Sequence, residues 1–534
     1  MKTVVLISPT PISQVPTGLA YIGAIFENQG WRVKPLVNTF KYYFTMEELV
    51  EKAASCSPDL IGISFSSFRV LDIYDLVARL KKLGVPVIIG GPHPTLFPEE
   101  GVEHGADVAV VGEGEATAEE MAKYYDGRLD RSLAQIPGIV FRDDSGKIRR
   151  TAPREPIQDL DAIPFPALHL FDEETFRQPD GTLKGFNKVF FSRGCPARCT
   201  FCETNAFGRK YRCRNAEDVV KEIENVKAAY GIDEFTFIDD LFTVNKALIK
   251  QICGLLIDRQ VNVQWIAACK ISTVDEALLR EMHRAGCIQV NYGIESGDED
   301  TLKRIKKGIK LEAVRRVVKL THQIGIRIYA NIMTGFPFET VENVMNTRNL
   351  VKELSPYVYM YSVHGCLVPY PGTEIYQEFK DQRGIDHYWL KPEYQLMGDV
   401  IYQNVPNPYE VSTYYQRNMY DDTYIEEETF FSYSREIKRA NKKLVFAIGW
   451  HNMKVRHPKR LRRLWAMGLC YLSNWVYQIS PRLEKGIARR LRLVNRIHDN
   501  LKIGYMVRLG PNRSRPERFQ LWKRRLPQGQ GSQS

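Results

Sequence analysis

The sequence predicts an α/β protein in three parts: a doubly wound parallel sheet over residues 1–130, a partial (β/α)6 barrel over 187–400, and a basic, mainly helical region over 401–534. Three observations predict it. Apolar runs without period-2 alternation are separated by amphipathic stretches that end in Gly, the pattern of parallel strands covered on both faces. That alternation stops near residue 130 and resumes at Lys188 for six further strand–helix units. Charge is divided unevenly: residues 431–534 hold 25 Lys and Arg against four acids, a local charge of +21, so the first 430 residues carry −10 within a total of +11.

In the first part the apolar runs are VVLIS (4–8), LIGISF (60–65), VPVIIGG (85–91) and ADVAVVG (106–112). LAYIGAIFENQG (19–30) and VLDIYDLVARLKKLG (70–84) between them have helical spacing. This is a Rossmann-like order, and such sheets take ligands beyond the carboxyl ends of their strands. The segments expected there are VPTGLA, SFSS, GGPHPT and GEGE. Residues 131–186 hold a hairpin, GIVFRDD-SG-KIRRT, and a connector whose prolines at 153, 156, 164 and 166 favour an extended crossing segment. In the second part the runs stand at 188–192, 234–238, 263–268, 288–294, 326–333 and 357–363. Helical patterns such as AEDVVKEIENVKAAYG and VDEALLREMHRAG fill the gaps. Six such units read as a partial TIM-type barrel with its site at the C-terminal strand ends.

Size and composition narrow the class. A chain of 534 residues, 44% hydrophobic and 26% charged, has room for two to four domains with full cores at roughly 100–200 residues each. Disordered, collagen-like and small disulfide-scaffold classes are excluded. No run of about 18 uncharged apolar residues is present, so no spanning helix is expected. The opening MKTVVLISPTP reads as a buried strand rather than a signal peptide. The ten cysteines are then expected to be reduced thiols or ligands in the cytoplasm. A mildly acidic body with a basic appendage differs from a nucleic-acid-binding protein that is basic throughout, and nucleic acid is not the expected partner.

Directly after the strand at 188–192 stands Ser-Arg-Gly-Cys195-Pro-Ala-Arg-Cys199-Thr-Phe-Cys202-Glu, a Cys-x3-Cys-x2-Cys spacing on a loop at the catalytic end. A cubane iron–sulfur cluster normally takes four thiolates. Three leave one iron open, which is how catalytic metal sites differ from closed structural ones. A zinc knuckle would need a fourth ligand at matching spacing, and Cys213, the nearby candidate, fits no such pattern. Among the other cysteines, Cys253 and Cys287 lie in apolar contexts that suit small core residues.

Over about residues 185–370 the sequence resembles the radical S-adenosylmethionine (SAM) family. The resemblance implies that Cys195, Cys199 and Cys202 hold a 4Fe–4S cluster whose fourth iron is chelated by the amino and carboxylate groups of SAM. FIDDLF (237–242) stands where that family contacts the SAM amino group, implicating Asp239 and Asp240. NYGIESG (291–297) implicates Glu295 and Ser296 toward the ribose, and IMTGFPFET (332–340) places Gly335 beside the adenine. Phe201 stands where an aromatic packs by the cluster or adenine. An acidic pair after a strand can instead cap the next helix.

The front segment resembles the cobalamin-binding domain fused ahead of many radical SAM enzymes, on VPTGLAYIGAIFENQG (15–30), PDLIGISFSS (58–67), IIGGPHPTLFPEE (88–100) and VVGEGEATAEEM (110–121). It implies close backbone approach to the cofactor at Gly18, Gly90, Gly91, Gly112 and Gly114. Ser64, Ser66, Ser67, Thr95 and Glu113 are the polar residues it places there, facing the corrin amides or the nucleotide tail. The Asp-x-His-x-x-Gly motif that supplies a lower-axial histidine is absent; the region after the second strand reads LVNTFKYYF. His93 is the nearby strand-end histidine, either a cobalt ligand or a hydrogen-bonding loop residue.

Together the resemblances imply a 5′-deoxyadenosyl radical that takes hydrogen from an unactivated carbon, and methylcobalamin that donates a methyl group to it. The expected activity is C-methyl transfer. Cyclisation or oxidation with the same cofactors, as in the anaerobic ring-forming cyclase of chlorophyll synthesis, is the alternative. A methylthiotransferase would carry three cysteines in its front domain, where this chain has Cys56. A non-enzymatic cobalamin sensor would not need the cysteine motif. The expected partners are a small-molecule or lipid-like substrate and an external electron donor of flavodoxin or ferredoxin type.

The tail alternates basic clusters with Trp450, Trp465 and Trp475 and contains AMGLCYLSNWVYQI (466–479), too short to span a bilayer. Two readings stand. One is a helical appendage docked on the barrel with a solvated basic face. The other is peripheral association with the inner face of a membrane.

Overall fold

A computed structural model of the chain describes residues 1–391, except 13, 40, 41, 43, 68, 178–180 and 204–207, together with residues 434–456. The front sheet has seven strands: β1 (Thr3–Ile12), β2 (Arg32–Thr39), β3 (Leu60–Ser64), β4 (Val87–Gly90), β5 (Val108–Val110), β6 (Ile139–Arg142) and β7 (Ile148–Arg150). Their order is β2-β1-β3-β4-β5-β6-β7, and the first five are parallel. This is the doubly wound order whose ligand crevice opens where the strand order reverses, between β1 and β3. Val4, Ile7, Ile61, Ile89 and Val108 are buried, as continuous apolar runs between two helical layers require. β2 lies at the edge, where Pro35 is tolerated and no apolar run is needed. LVNT therefore falls inside this strand rather than after it.

The hairpin at 139–150 is not part of a linker. β6 pairs antiparallel with β5, so the front unit runs to Arg150 and not to 130. The reason is apolar: Ile139, Val140 and Phe141 are buried, and they cover the edge that β5 would otherwise expose. The connector that follows packs Leu160 and Ile163 against Tyr21 of the front unit and Phe190 of the second.

The second sheet is a six-stranded open barrel. Its strands are β8 (Lys188–Val189), β11 (Glu234–Phe237), β12 (Gln264–Cys269), β13 (Cys287–Glu295), β14 (Arg327–Thr334) and β15 (Met360–Cys366), parallel and in sequence order. Between β8 and β11 a short ribbon, β9 (Ser192–Arg193) with β10 (Arg212–Cys213), stands apart from the barrel. Several helices begin on a polar cap that accepts a backbone N–H of the first turn, as Asn215 does from Asp218, Asp275 from Leu278 and Thr340 from Asn343.

A helix at Arg435–Arg456, the start of the basic region, lies against β15 and the helix Val341–Leu354. Ala440, Leu444 and Ile448 are its buried face. Asn452 donates to the Tyr361 carbonyl (2.8 Å) and accepts from its N–H (2.9 Å), bonding β15 as a further strand would. This stretch follows the docked-appendage reading. Residues 457–534, with Trp465, Trp475 and the run 466–479, lie outside the described residues. Among the described residues no helix is long and apolar enough to cross a membrane.

The C-terminal edge of the front sheet faces the second domain. Tyr21 meets Phe190 edge-on at 5.3 Å, and Phe97 packs on Trp389 with ring centres 4.2 Å apart. Trp389 also donates to Glu100 (3.2 Å). The loops after β4 and β5 and the barrel mouth thus share one interface.

Candidate active site

The cysteine loop is residues 194–211, closed at its base where Arg193 of β9 stands opposite Arg212 of β10. Gly194 has φ +83°, and a Cβ there would lie 2.4 Å from the Lys210 carbonyl oxygen, so the crossing of the loop's two limbs demands glycine. Cys195 donates its N–H to Gly208 (3.3 Å) across the loop, and Cys202 donates to Cys199 (3.2 Å), which closes a turn over the second and third cysteines. Thr200 ties that turn to the barrel, donating to Ile305 (3.1 Å) and accepting from Ile375 (3.0 Å).

The thiols lie near enough to act on one another by charge. Burial pushes the Cys195 thiol up, and the charges of Asp240 and Cys199 push it further. Cys202 is exposed on one side; the protein packed on its other side raises it to about 12, with Cys199, Asp240 and Cys195 adding to the effect. Among the described residues no three His, Cys, Asp or Glu side chains converge closely enough to hold a metal ion as they stand. The donor chemistry nevertheless fits a cluster. Burial and mutual charge hold Cys195 and Cys202 as neutral thiols, and a cation bound among the three cysteines would stabilise the thiolates. Cys213 sits in the ribbon opposite Ser192, with Tyr211 and Asn245 as its bonding neighbours, and does not join them. Three ligands without a fourth suit a 4Fe–4S cluster with one open iron.

The acidic pair after β11 splits. Asp239 is buried and accepts from Phe191 N (3.2 Å), Ser192 Oγ (2.5 Å) and Ser192 N. Burial raises its carboxyl to about 7 despite those bonds. It braces the base of the cysteine loop from below. Asp240 is exposed and turns its charge on Cys195 and Cys202. At the end of β13, Glu295 takes a left-handed φ of +65° and accepts from Lys307 Nζ at 2.8 Å. Burial works against the Lys307 ammonium, but the charges of Glu295, Cys199 and Cys202 outweigh it and hold it above the usual lysine range. The Phe201 ring lies 5.8 Å from that ammonium and 6.1 Å from the Phe336 ring.

Ser296 does not join this group. It is fully buried, bonds Thr347 Oγ1 (3.0 Å) and accepts from Asp298 N (3.2 Å), so it packs the helix Val341–Leu354 onto β13. Gly335, at the end of β14, donates to Glu339 (2.7 Å), as does Phe336 (3.1 Å). Burial pushes Glu339 up to about 7.

On the front sheet, Thr95 links two strand ends by donating to the Gly91 carbonyl (2.9 Å) and accepting from Gly112 N (3.1 Å). A Cβ at Gly91 would lie 2.9 Å from Ser64 Oγ, so these two loops touch. A Cβ at Gly18 or Gly112 would meet nothing within 4 Å, and Ser66, after β3, is exposed. Gly90 and Gly114 flank this shallow cradle, with Val110 and Ile22 as their near neighbours. A large planar ligand fits such a rim of backbone and small polar groups. His93 is placed differently from a cobalt ligand. It is fully buried; Nδ1 bonds Ser67 Oγ (2.9 Å) and Nε2 meets Tyr74 (3.0 Å) and Glu100 (3.1 Å). Both ring nitrogens are engaged in bracing the loop after β4. Glu113 likewise turns away from the cradle, toward the second domain, where it pairs with Arg212 (2.8 Å) and Arg193 (3.3 Å).

Four residues of this site were not assigned from the sequence: Lys270, Lys307, Arg193 and Arg212. Lys270 lowers the Cys195 thiol by its charge and lies near Gly308. The signal for the lysines was modest, a single basic residue after β12 and the Lys-Lys-Gly before Gly308.

Comparison with known proteins follows this geometry. Residues 4–122 match the B12 binding domain and residues 189–351 the radical SAM superfamily. An uncharacterized methyltransferase of Pyrococcus horikoshii is 31% identical over 390 residues, 71% of this chain and 83% of its own length. The anaerobic magnesium-protoporphyrin IX monomethyl ester cyclase of Rubrivivax gelatinosus is 26% identical over 69% of this chain and 66% of its own. The radical SAM methyltransferase TsrM of Kitasatospora setae, solved with cobalamin and a 4Fe–4S cluster, shares the fold with a TM-score of 0.59 at 23% identity, over 72% of this chain and 76% of its own. The chain belongs to the cobalamin-dependent radical SAM enzymes, whose cofactors are a 4Fe–4S cluster, SAM and cobalamin.

Proposed function

We propose that this protein is a C-methyltransferase that acts on an unactivated carbon held between its two domains. The observation that carries the reading is the direct opposition of the two site loops: the strand ends of the front sheet and the cysteine loop meet through Glu113, Arg193 and Arg212. A relative named as a methyltransferase, 31% identical over 71% of this chain and 83% of its own length, supports it; the ring-forming relatives, at 26–30% identity, match over 64–66% of their own length in Rubrivivax gelatinosus and Synechocystis.

When bound, the cluster and SAM supply a 5′-deoxyadenosyl radical and cobalamin a transferable methyl group. Cys195, Cys199 and Cys202 hold the cluster. Asp240 would accept from the SAM ammonium, and Lys307 and Lys270 would offset its carboxylate. Glu295 would serve the ribose, while Phe201 and the Gly335–Phe336 turn would wall the adenine. Gly18, Ser64, Ser66, Gly90, Gly91, Thr95, Gly112 and Gly114 border the corrin, and His93 with Ser67 holds their loop in place. Closure of the interface by aromatic contacts such as Tyr21–Phe190 keeps water from the reacting carbon. The enzyme draws single electrons from an external donor of flavodoxin or ferredoxin type, and its location is cytoplasmic.

We infer that the basic residues beyond 456 associate with an anionic membrane surface, which would suit a lipid-like substrate. The full chain is expected to sediment with anionic liposomes at low salt, and a chain ending at residue 430 is not; equal behaviour of the two removes this part of the reading. Methyl transfer itself is tested with methyl-labelled SAM and the full-length enzyme carrying reduced cobalamin. Label is expected in the corrinoid. Formation of 5′-deoxyadenosine with no label leaving SAM would favour cyclisation or oxidation instead.

A further inference from the structure

Four charged side chains are buried where the two domains meet: Glu113 and Glu115 from the loop and helix after β5, and Arg193 and Arg212 from the ribbon that closes the cysteine loop. Arg193 and Arg212 stand directly opposite each other across the ribbon, so their side chains leave from one face. Arg212 grips Glu113 with both prongs of its guanidinium, Nη2 to Oε1 at 2.8 Å and Nη1 to Oε2 at 2.9 Å. Arg193 reaches the same carboxylate at 3.3 Å and Glu115 at 2.5 Å, and stacks over Phe190 at 4.8 Å. The connector enters too: Ile157 donates its N–H to Glu113 (2.7 Å), and its carbonyl accepts from Arg212 (2.5 Å).

One carboxylate therefore joins three chain segments far apart in sequence. Gly112 and Gly114, on either side of it, rim the cradle of the front sheet. Cys195 is two residues from Arg193. Two arginines and two glutamates balance, and a two-pronged arginine pair fixes direction as well as distance. A buried charge without its partner is strongly disfavoured, so the group resists sliding or partial opening.

We propose that Glu113 is a positioning residue: through Arg212 and Arg193 it sets the separation and orientation of the cluster-bearing loop relative to the cobalamin-bearing strand ends. Glu113 touches neither cofactor. It holds the two loops in register, so that a carbon placed against one reactive group also lies within reach of the other. This rests on the cofactor placement proposed above and adds to it a cause for the alignment.

The test is E113Q in the full-length protein, reconstituted with iron, sulfide and cobalamin. The separation between cob(II)alamin and the reduced cluster is read by pulsed electron paramagnetic resonance. The wild-type distribution is expected to be narrow, and that of E113Q at least twofold broader at unchanged iron and corrinoid content. The double variant E113Q/R212Q is expected to be no broader than the broader single variant, because the pair acts as one unit. An unchanged distribution in E113Q would overturn the proposal. Hydrogen exchange of the full chain without cofactors provides a second arm. Residues 192–213 should exchange at least tenfold faster in E113Q, or in R212K should E113Q fail to load, with β12–β14 unaffected. Uniformly faster exchange throughout would reduce Glu113 to a general stabiliser and also overturn it. Failure of the wild type to bind cobalamin would count against the proposed function, while the exchange arm would still decide the clamp.

Discussion

Replacing Cys195, Cys199 and Cys202 together by Ala is expected to abolish reductive cleavage of SAM and remove the iron while leaving one corrinoid bound per chain. The separation follows from where the groups sit. The three thiols lie in one loop held by backbone bonds between Cys195 and Gly208 and between Thr200 and both Ile305 and Ile375, none of which needs a sulfur atom. The front cradle is built from residues of another sheet, through Thr95, Gly91 and Gly112. Loss of the thiols therefore removes the metal ligands without touching the corrin rim. Iron analysis and the visible spectrum after anaerobic reconstitution check both halves. Iron at full stoichiometry in the triple variant would refute the assignment of these ligands.

Asp239→Ala is expected to unfold the base of the cysteine loop, whereas Asp240→Ala leaves the fold intact and weakens SAM binding. Removing the Asp239 carboxylate strands three buried donors, the N–H groups of Phe191 and Ser192 and the Ser192 hydroxyl. At about 1–3 kcal/mol for each unsatisfied group, partly relieved by relaxation, the loss is on the order of 3–5 kcal/mol. Asp240 is exposed, and its removal should change stability by no more than about 0.5 kcal/mol. Asp239 also predicts a pH dependence. Burial raises it to about 7 in the fold, against about 3.9 in an unfolded chain. The fold thus binds this proton more tightly, so its contribution to stability declines as pH rises between about 4 and 7 and is level above 7. Asp239→Asn should flatten that slope. Denaturant midpoints at pH 5.5 and 7.5 for both chains measure it; parallel slopes would show that the group does not titrate there.

The fold and the position of the cysteine loop were legible because each rests on a local signal. Parallel strands buried on both faces must be continuous apolar runs, so β1, β3, β4 and β5 and the barrel strands stood out. β2 gave no such run, since an edge strand may carry Pro35 and alternate charge. The hairpin β6–β7 was visible as a hairpin, but its pairing with β5 depends on a surface made elsewhere in the chain. The cysteine spacing is local to one loop and survives intact.

Residue roles at strand ends were less legible, because a one-residue step turns a side chain to the other face. Asp239 and Asp240 are neighbours with opposite fates, and so are Glu295 and Ser296, of which one pairs with Lys307 at the mouth and the other packs a helix. Glu113 and His93 stand in the expected loops but are spent on partners that the sequence does not place beside them, Arg212 and Tyr74. Such pairs join residues 99 and 19 positions apart, and no spacing rule reaches across that distance.

The central claim is that one chain holds a 4Fe–4S cluster and a corrinoid on opposed loops. It is tested most directly by the iron, sulfide and corrinoid content and ultraviolet–visible spectrum of the full-length protein after anaerobic reconstitution. The account predicts one 4Fe–4S cluster and one corrinoid per chain, both retained through gel filtration. Retention of the cluster alone, with cobalamin lost under the same conditions, would contradict it.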